Sequence, residues 1–467
     1  MLLIVIALLL PASAVGIRSG TASADTRPNI VLILTDDQRL NNSERAGDTT
    51  VSHMPIVQHE LADKGVTFAN GFDVNPLCCP SRATILTGMD SGHTGVWANR
   101  GPYGGFSTFT SRGDDRSTIA TWLHDAGYET GFVGKYLNGY GKSNISYIPP
   151  GWDTWNALAL GDYAPGYYSY SMSVNGSLVS YGSTDADYST HVLSKDAADF
   201  IAGVPSDQPL FLYFALRAPH APATPEAKYL KGCPALALNR PPSWNEADVS
   251  DKPPYIQARP LVNHDGFNRK QCRALLSVDD AVGNVLSALS ATGRLSNTLL
   301  LYASDNGLAN GEHRWTGKTV PYEESIRVPV IVRYDAADGQ VPRTESDLVL
   351  NMDFAPTFAD AASVAVPSST QGTSFLPQIK GENPSDRTSF LLEHGGVTQT
   401  IPAYCGVRTD RFAYVRYSDG FEELYDLSND PFELQNVASD PNLAPTKAAL
   451  LAQTVSMCSP APPGYHF

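Results

Sequence analysis

The sequence predicts an α/β fold, a sheet of buried strands with helices packed on both faces. Three observations carry that prediction. Apolar runs of strand length punctuate the chain, helical stretches lie between them, and polar residues recur just past the run ends. The first run is 29–34 (NIVLIL), followed by Thr35-Asp36-Asp37. The second, 209–216 (PLFLYFAL), leads into Pro219-His220. The third, 297–302 (NTLLLY), leads into Ser304-Asp305-Asn306, and the fourth is 328–332 (VPVIV). None alternates apolar with polar residues, which is the pattern of a strand covered on both faces. Stretches 117–126 and 269–289 space their apolar residues as helices do. In open α/β sheets ligands bind beyond the C-terminal strand ends. The polar pairs found there are therefore candidate functional residues.

With 467 residues the chain can bury a large core, as one big domain with a smaller appendage. Apolar residues at 42% and charged ones at 17% are a globular composition and exclude a disordered chain. Thirty-three Lys and Arg against 48 Asp and Glu give a net charge of −15. That balance argues against nucleic-acid or anionic-membrane partners, though not against a local basic pocket. Segment 147–188, rich in Tyr, Gly, Ser and Asn, reads as hairpins and loops. After about residue 376 the pattern changes, and 409–417 and 421–427 alternate as antiparallel strands do. The expected division is a leader over 1–24, a large domain over 25–375 and a C-terminal subdomain over 376–467.

Residues 2–10 are continuously apolar, too short a run to span a bilayer. Followed by Ala22-Ser23-Ala24, they read as a signal peptide cut near Asp25, which predicts an exported protein with no membrane span. Export permits disulfides. Cys233 with Cys272 and Cys405 with Cys458 is the expected pairing, although sequence alone does not fix connectivity. Asn41, Asn144 and Asn175 head Asn-x-Ser sequons.

The most informative segment is Cys78-Cys79-Pro80-Ser81-Arg82-Ala83-Thr84-Ile85-Leu86-Thr87-Gly88. Pro80 suits the first turn of a helix and places Cys78 at its N-terminus, where backbone N–H groups and the dipole favour an anion. Arg82 adds a fixed positive charge. Asp36, Asp37, Asp305 and Asn306 offer hard oxygens that suit Ca²⁺ or Mg²⁺ rather than zinc.

This segment resembles the sulfatase signature, Cys-x-Pro-Ser-Arg followed after four residues by Thr-Gly. The resemblance runs from about Arg27 to Ala438. It is closest to the N-acetylglucosamine-6-sulfatase branch, through Gly134-Lys135-Tyr136-Leu137-Asn138, Ala218-Pro219-His220 and Leu276-Ser277-Val278-Asp279-Asp280. It implies an alkaline-phosphatase-like α/β fold, a large mixed and mostly parallel sheet sandwiched by helices with a smaller C-terminal antiparallel sheet. It implies oxidation of Cys78 to formylglycine by a formylglycine-generating system. Asp36, Asp37, Asp305, Asn306 and residue 78 would hold Ca²⁺. Arg82, Lys135, His220 and Lys318 would hold the sulfate. Asp305 would take a proton from the attacking hydroxyl, and His220 or Lys318 would assist departure of the alcohol. The implied substrate is a sulfated small molecule or carbohydrate, a 6-O-sulfated amino sugar of a glycosaminoglycan-like chain. A phosphodiesterase or phosphonate monoester hydrolase of the same superfamily is the alternative. One position departs from the family pattern: Leu137 stands where many members carry histidine. Asn138, His93 and His313 are the candidates for the missing base. The acidic residues of Glu423-Leu424-Tyr425-Asp426-Leu427 read as turn and surface positions.

Overall fold

The computed structural model describes residues 26–40, 53–141, 143–159, 166–234, 240–337, 342–382, 385–396 and 400–467. The expected leader and the sequon at Asn41 lie outside the described residues.

The four apolar runs form strands β1 (Asn29–Thr35), β7 (Leu210–Ala215), β8 (Thr298–Ser304) and β11 (Val330–Arg333), with every residue buried. Six further strands join them in one sheet: β2 (Val66–Phe72), β3 (Glu129–Gly134), β4 (Thr154–Leu158), β5 (Ser171–Val174), β6 (Ser177–Ser180) and β12 (Arg343–Leu350). The order is β12-β2-β11-β8-β1-β7-β3-β4-β5-β6. From β8 to β4 all neighbours are parallel, while β11 is antiparallel to both β8 and β2. The hairpin expected within 147–188 is β5–β6. It turns on Asn175 and Gly176, both in the left-handed region, as a two-residue turn requires.

Strand pleating explains the unbroken apolar runs. In β1, Ile30, Leu32 and Leu34 enter a core shared with the helices Cys78–Thr87, Ile119–Asp125 and Phe354–Ala361. Val31 and Ile33 enter the opposite core, shared with the helices Ser189–Gly203 and Asp265–Ala291. Each fully buried side chain of this size contributes about 1.5–3 kcal/mol. The 27-residue helix Asp265–Ala291 is long and apolar enough to cross a membrane, yet half of its most apolar window is buried against the sheet side, as in a core helix.

Strands β13 (Ser389–His394), β14 (Tyr404–Thr409), β15 (Phe412–Tyr417) and β16 (Glu422–Asp426) form the expected C-terminal antiparallel sheet. Two-residue strands β9 (Ala309–Asn310) and β10 (Thr316–Gly317) pair separately. The helix Ala444–Met457, which the sequence reading passed over, packs on the C-terminal sheet, with Leu450 beside Val407 and Tyr414. Both expected disulfides form, Cys233–Cys272 and Cys405–Cys458.

Glu423 corrects the surface reading of its segment. It is fully buried and accepts hydrogen bonds from the phenols of Tyr322 at 2.8 Å, Tyr425 at 2.5 Å and Tyr417 at 2.6 Å. A carboxylate can be buried at tolerable cost when its lone pairs are matched in this way. Tyr322 precedes the short helix Glu323–Ile326, so this cluster joins the C-terminal sheet to the part of the chain that carries the large sheet.

Candidate active site

Strands β8, β1, β7 and β3 are consecutive neighbours running in one direction. Each ends by delivering polar side chains to the same edge. Asp305 and Asn306 follow β8, Asp36 and Asp37 follow β1, Arg217 and His220 follow β7, and Lys135 follows β3. Strand β2 shares the direction of β8, because both oppose β11. Segment 73–77 therefore rises at that edge and starts the helix Cys78–Thr87.

Cys78 is the first residue of this helix, as predicted, and Arg82 lies one turn later on the same face. Gly88 ends the helix in the left-handed conformation, with its N–H bonded to the Thr84 carbonyl at 2.8 Å. Gly134 is needed for a different reason. Its φ is +124°, and a Cβ there would sit 1.8 Å from the Ala215 carbonyl oxygen. Only glycine lets β3 close on β7 and set Lys135 in place.

The floor of the site is fully enclosed. Cys78 is 1% exposed, and Asp36 and Asp305 are 0% exposed. Carboxylate oxygens of Asp36, Asp37 and Asp305 lie within 4.8 Å of one another, and so do Asp36, the Cys78 sulfur and a ring nitrogen of His220. Cations interleave with these groups. Lys135 Nζ donates to Asp36 Oδ2 at 2.6 Å, and Arg82 Nε to Asp305 Oδ2 at 2.8 Å. Arg82 Nη1 also donates to the Lys135 carbonyl at 2.5 Å. Lys318 Nζ donates to Asp37 Oδ1, to Asn306 Oδ1 at 3.2 Å and to Cys78 Sγ at 2.8 Å. Asn306 Nδ2 donates to Asp37 Oδ1 at 2.7 Å, and the Asp37 N–H to Asp305 Oδ1 at 3.1 Å. His220 Nδ1 faces the Ala221 carbonyl at 2.7 Å and must donate to it, since a carbonyl only accepts. That tautomer turns Nε2 toward Asp37 Oδ2, 3.7 Å away. All nine residues singled out in the sequence therefore meet at one pocket.

Two of the loops hold strained backbone. Asp37 has φ +66° and Thr319, next to Lys318, has φ +74°. Non-glycine residues in this region cost about 1–3 kcal/mol each and collect where function demands a fixed geometry.

The electrostatics follow from burial and charge pairing. Burial acts to raise the Asp36 pKa, but Lys135, His220, Arg82 and Arg217 together hold it well below the usual carboxylate range. Asp37 is lowered likewise: burial acts to raise it, but Lys318, His220 and Lys135 together outweigh burial. Asp305 is raised by burial and by Asp36. Burial lowers His220 to about 4 against the pull of Asp36 and Asp37. Burial pushes the Cys78 thiol up, so an unmodified cysteine here is a poor nucleophile.

Three candidates for the missing base lie elsewhere. His93 binds Asp90 at 2.8 Å at the start of the short helix Ser91–Thr94. The Asn138 N–H donates to the Cys79 sulfur at 3.0 Å, and Leu137 is buried in the core beside it. His313 is buried with Nδ1 on Glu246 at 2.7 Å. The sequence reading missed Arg217, whose Nη1 reaches Asp36 Oδ2 at 3.5 Å. The signal was a lone arginine directly after a fully apolar strand, three residues before His220.

Comparison with known proteins places this pocket in a family. The sulfatase family model matches residues 28–364, and the model for the C-terminal region of N-sulphoglucosamine sulphohydrolase matches 311–458. Human N-acetylglucosamine-6-sulfatase is 32% identical over 96% of this chain and 89% of its own length. An extracellular sulfatase SULF-1 homolog from Drosophila melanogaster is 33% identical over 82% of this chain, which spans 34% of that longer protein. A solved structure, of a protein in complex with its substrate D-glucosamine-2-N,6-O-disulfate, superposes with TM-score 0.80 at 24% identity. It covers 93% of this chain and 98% of the other. The shared architecture is the alkaline-phosphatase-like fold of sulfatases. Matched over most of its length by the family model and by a relative above 30% identity, the chain belongs to the sulfatase family and is a sulfuric ester hydrolase.

Proposed function

We propose that this chain is an exported, Ca²⁺-dependent sulfatase that acts through a formylglycine made from Cys78, on 6-O-sulfated amino sugars of glycosaminoglycan-like chains. The observation that carries the reading is the position of Cys78. It sits at a closed floor where three carboxylates and the cations Arg82, Lys135 and Lys318 converge.

The donor set suits a hard dication. Asp36, Asp37, Asp305 and Asn306 present oxygens, and Mg²⁺ is the other ion such ligands accept. Formylglycine and Ca²⁺, when present, supply a hydrated aldehyde as nucleophile and positive charge beside it. The protein's own groups do the rest. Arg82 is held by Asp305 and by the Lys135 carbonyl, so its charge is fixed before substrate arrives. Asp305 accepts the proton of the attacking hydroxyl. His220 or Lys318 assists departure of the alcohol. Asn138, His93 and His313 stay the candidates for the base that releases sulfate; among the described residues they bond to the Cys79 sulfur, Asp90 and Glu246, respectively.

Likeness to N-acetylglucosamine-6-sulfatase over nearly the whole chain supports an amino-sugar substrate, and the extracellular relative supports export. We assign the leader to 1–24, the catalytic domain to 25–375 and the C-terminal subdomain to 376–467.

Sulfate release from an aryl sulfate and from N-acetylglucosamine 6-sulfate, set against hydrolysis of a matched aryl phosphate diester, tests the reading. Turnover of both sulfates well above the diester is expected. A preference for the diester would favour the phosphodiesterase alternative.

A further inference from the structure

Arg217 is poorly satisfied where it stands. Its Nη1 lies 3.5 Å from Asp36 Oδ2 and its Nη2 3.4 Å from the Ala221 carbonyl. Its Nε is buried without a partner among the described residues. Lys135 already holds the same Asp36 oxygen at 2.6 Å. A guanidinium has five N–H donors, and burying them unmatched is costly.

Depth separates the groups. The floor at Cys78, Asp36 and Asp305 is closed. The side chains of Arg217, Lys318 and His220 are 10%, 13% and 24% exposed, respectively. Arg217 therefore belongs to the wall on the His220 side, past which the sugar carrying the sulfate must lie. Tyr167 braces that wall with a 2.7 Å bond to the His220 carbonyl.

We infer that Arg217 is a specificity residue that receives a second anionic group, sulfate or carboxylate, borne by the sugar unit or its neighbour. The planar fork of arginine matches a two-oxygen face, which a lysine does not. The inference rests on the sulfatase reading and narrows it to substrates with at least two anionic groups.

The test compares kcat/KM on substrate pairs differing only in the second charge. N-sulfated against N-acetylated glucosamine 6-sulfate reads a sulfate, and a uronate-linked disaccharide against its uronate methyl ester reads a carboxylate. Wild-type enzyme is expected to prefer the doubly charged member of at least one pair by about 10- to 100-fold, mostly in KM. In Arg217→Gln that ratio collapses toward one, whatever the absolute loss, and Arg217→Lys recovers only part of it. The pair that shows the effect identifies the anion. Wild-type enzyme indifferent to both pairs, or a ratio unchanged in Arg217→Gln and Arg217→Lys, overturns the inference. Absence of aryl sulfate hydrolysis by wild-type enzyme would instead overturn the sulfatase reading beneath it.

Discussion

Replacing Arg82 by methionine keeps much of the stem's volume and removes the charge. The residue is 1% exposed, and its bonds to Asp305 Oδ2 at 2.8 Å and to the Lys135 carbonyl at 2.5 Å are lost together. Asp305 is fully buried and would be left without its arginine. Removing one partner of a buried ion pair costs about 3–5 kcal/mol, most of it the price of the stranded charge. The double variant Arg82→Met/Asp305→Asn strands no charge and should recover at least half of that loss, while remaining inactive. Denaturant titration in the presence of a chelator reads both effects, since only the protein's own cations then count. Wild type and variants should share one m-value, so that midpoints convert directly to free energies. A single variant within about 1 kcal/mol of wild type, or a double variant no more stable than the single, would refute the reasoning.

Other expectations concern the strand ends, pH and metal. Gly134→Ala forces a Cβ against the Ala215 carbonyl at φ +124° and should cost at least about 1–3 kcal/mol with a large fall in kcat, read by thermal melting and sulfate release. His394 is buried with neither ring nitrogen bonded among the described residues, and burial lowers its pKa from 6.5 to about 4. A depressed folded-state value means its contribution is present above pH 6.5 and is lost as pH falls through 4. The loss amounts to roughly 3 kcal/mol at 1.36 kcal/mol per pKa unit. His394→Phe should flatten the stability curve of the wild-type protein across that window, and an unchanged slope would contradict the assignment. Chelation should lower the melting temperature and added Ca²⁺ restore it in wild type but not in Asp37→Asn, as followed by calorimetry.

The strands legible in the sequence are those covered on both faces. NIVLIL, PLFLYFAL and NTLLLY carry no polar interruption, and the parallel sheet buries both of their sides. Strand β2 (VTFANGF) escaped because Thr67, Asn70 and Gly71 break its apolar run, and β12 (RTESDLVL) because its first five residues are polar and partly or fully exposed. Strand β3 (ETGFVG) escaped because its glycines, which close packing demands, weaken the strand signal. Residues of the pocket were legible because the sheet places their motifs on adjacent strands. Arg217 was not, since a lone arginine after an apolar strand belongs to no motif. Glu423 looked like a turn residue because no local pattern announces that Tyr322 and Tyr417, from two other segments, join its own strand's Tyr425 around it.

The state of residue 78 tests the central claim most directly. Mass analysis of the peptide containing Cys78, taken from enzyme of measured specific activity, should show formylglycine in a fraction that rises in proportion to activity. Fully active enzyme carrying an unmodified Cys78 thiol would contradict it.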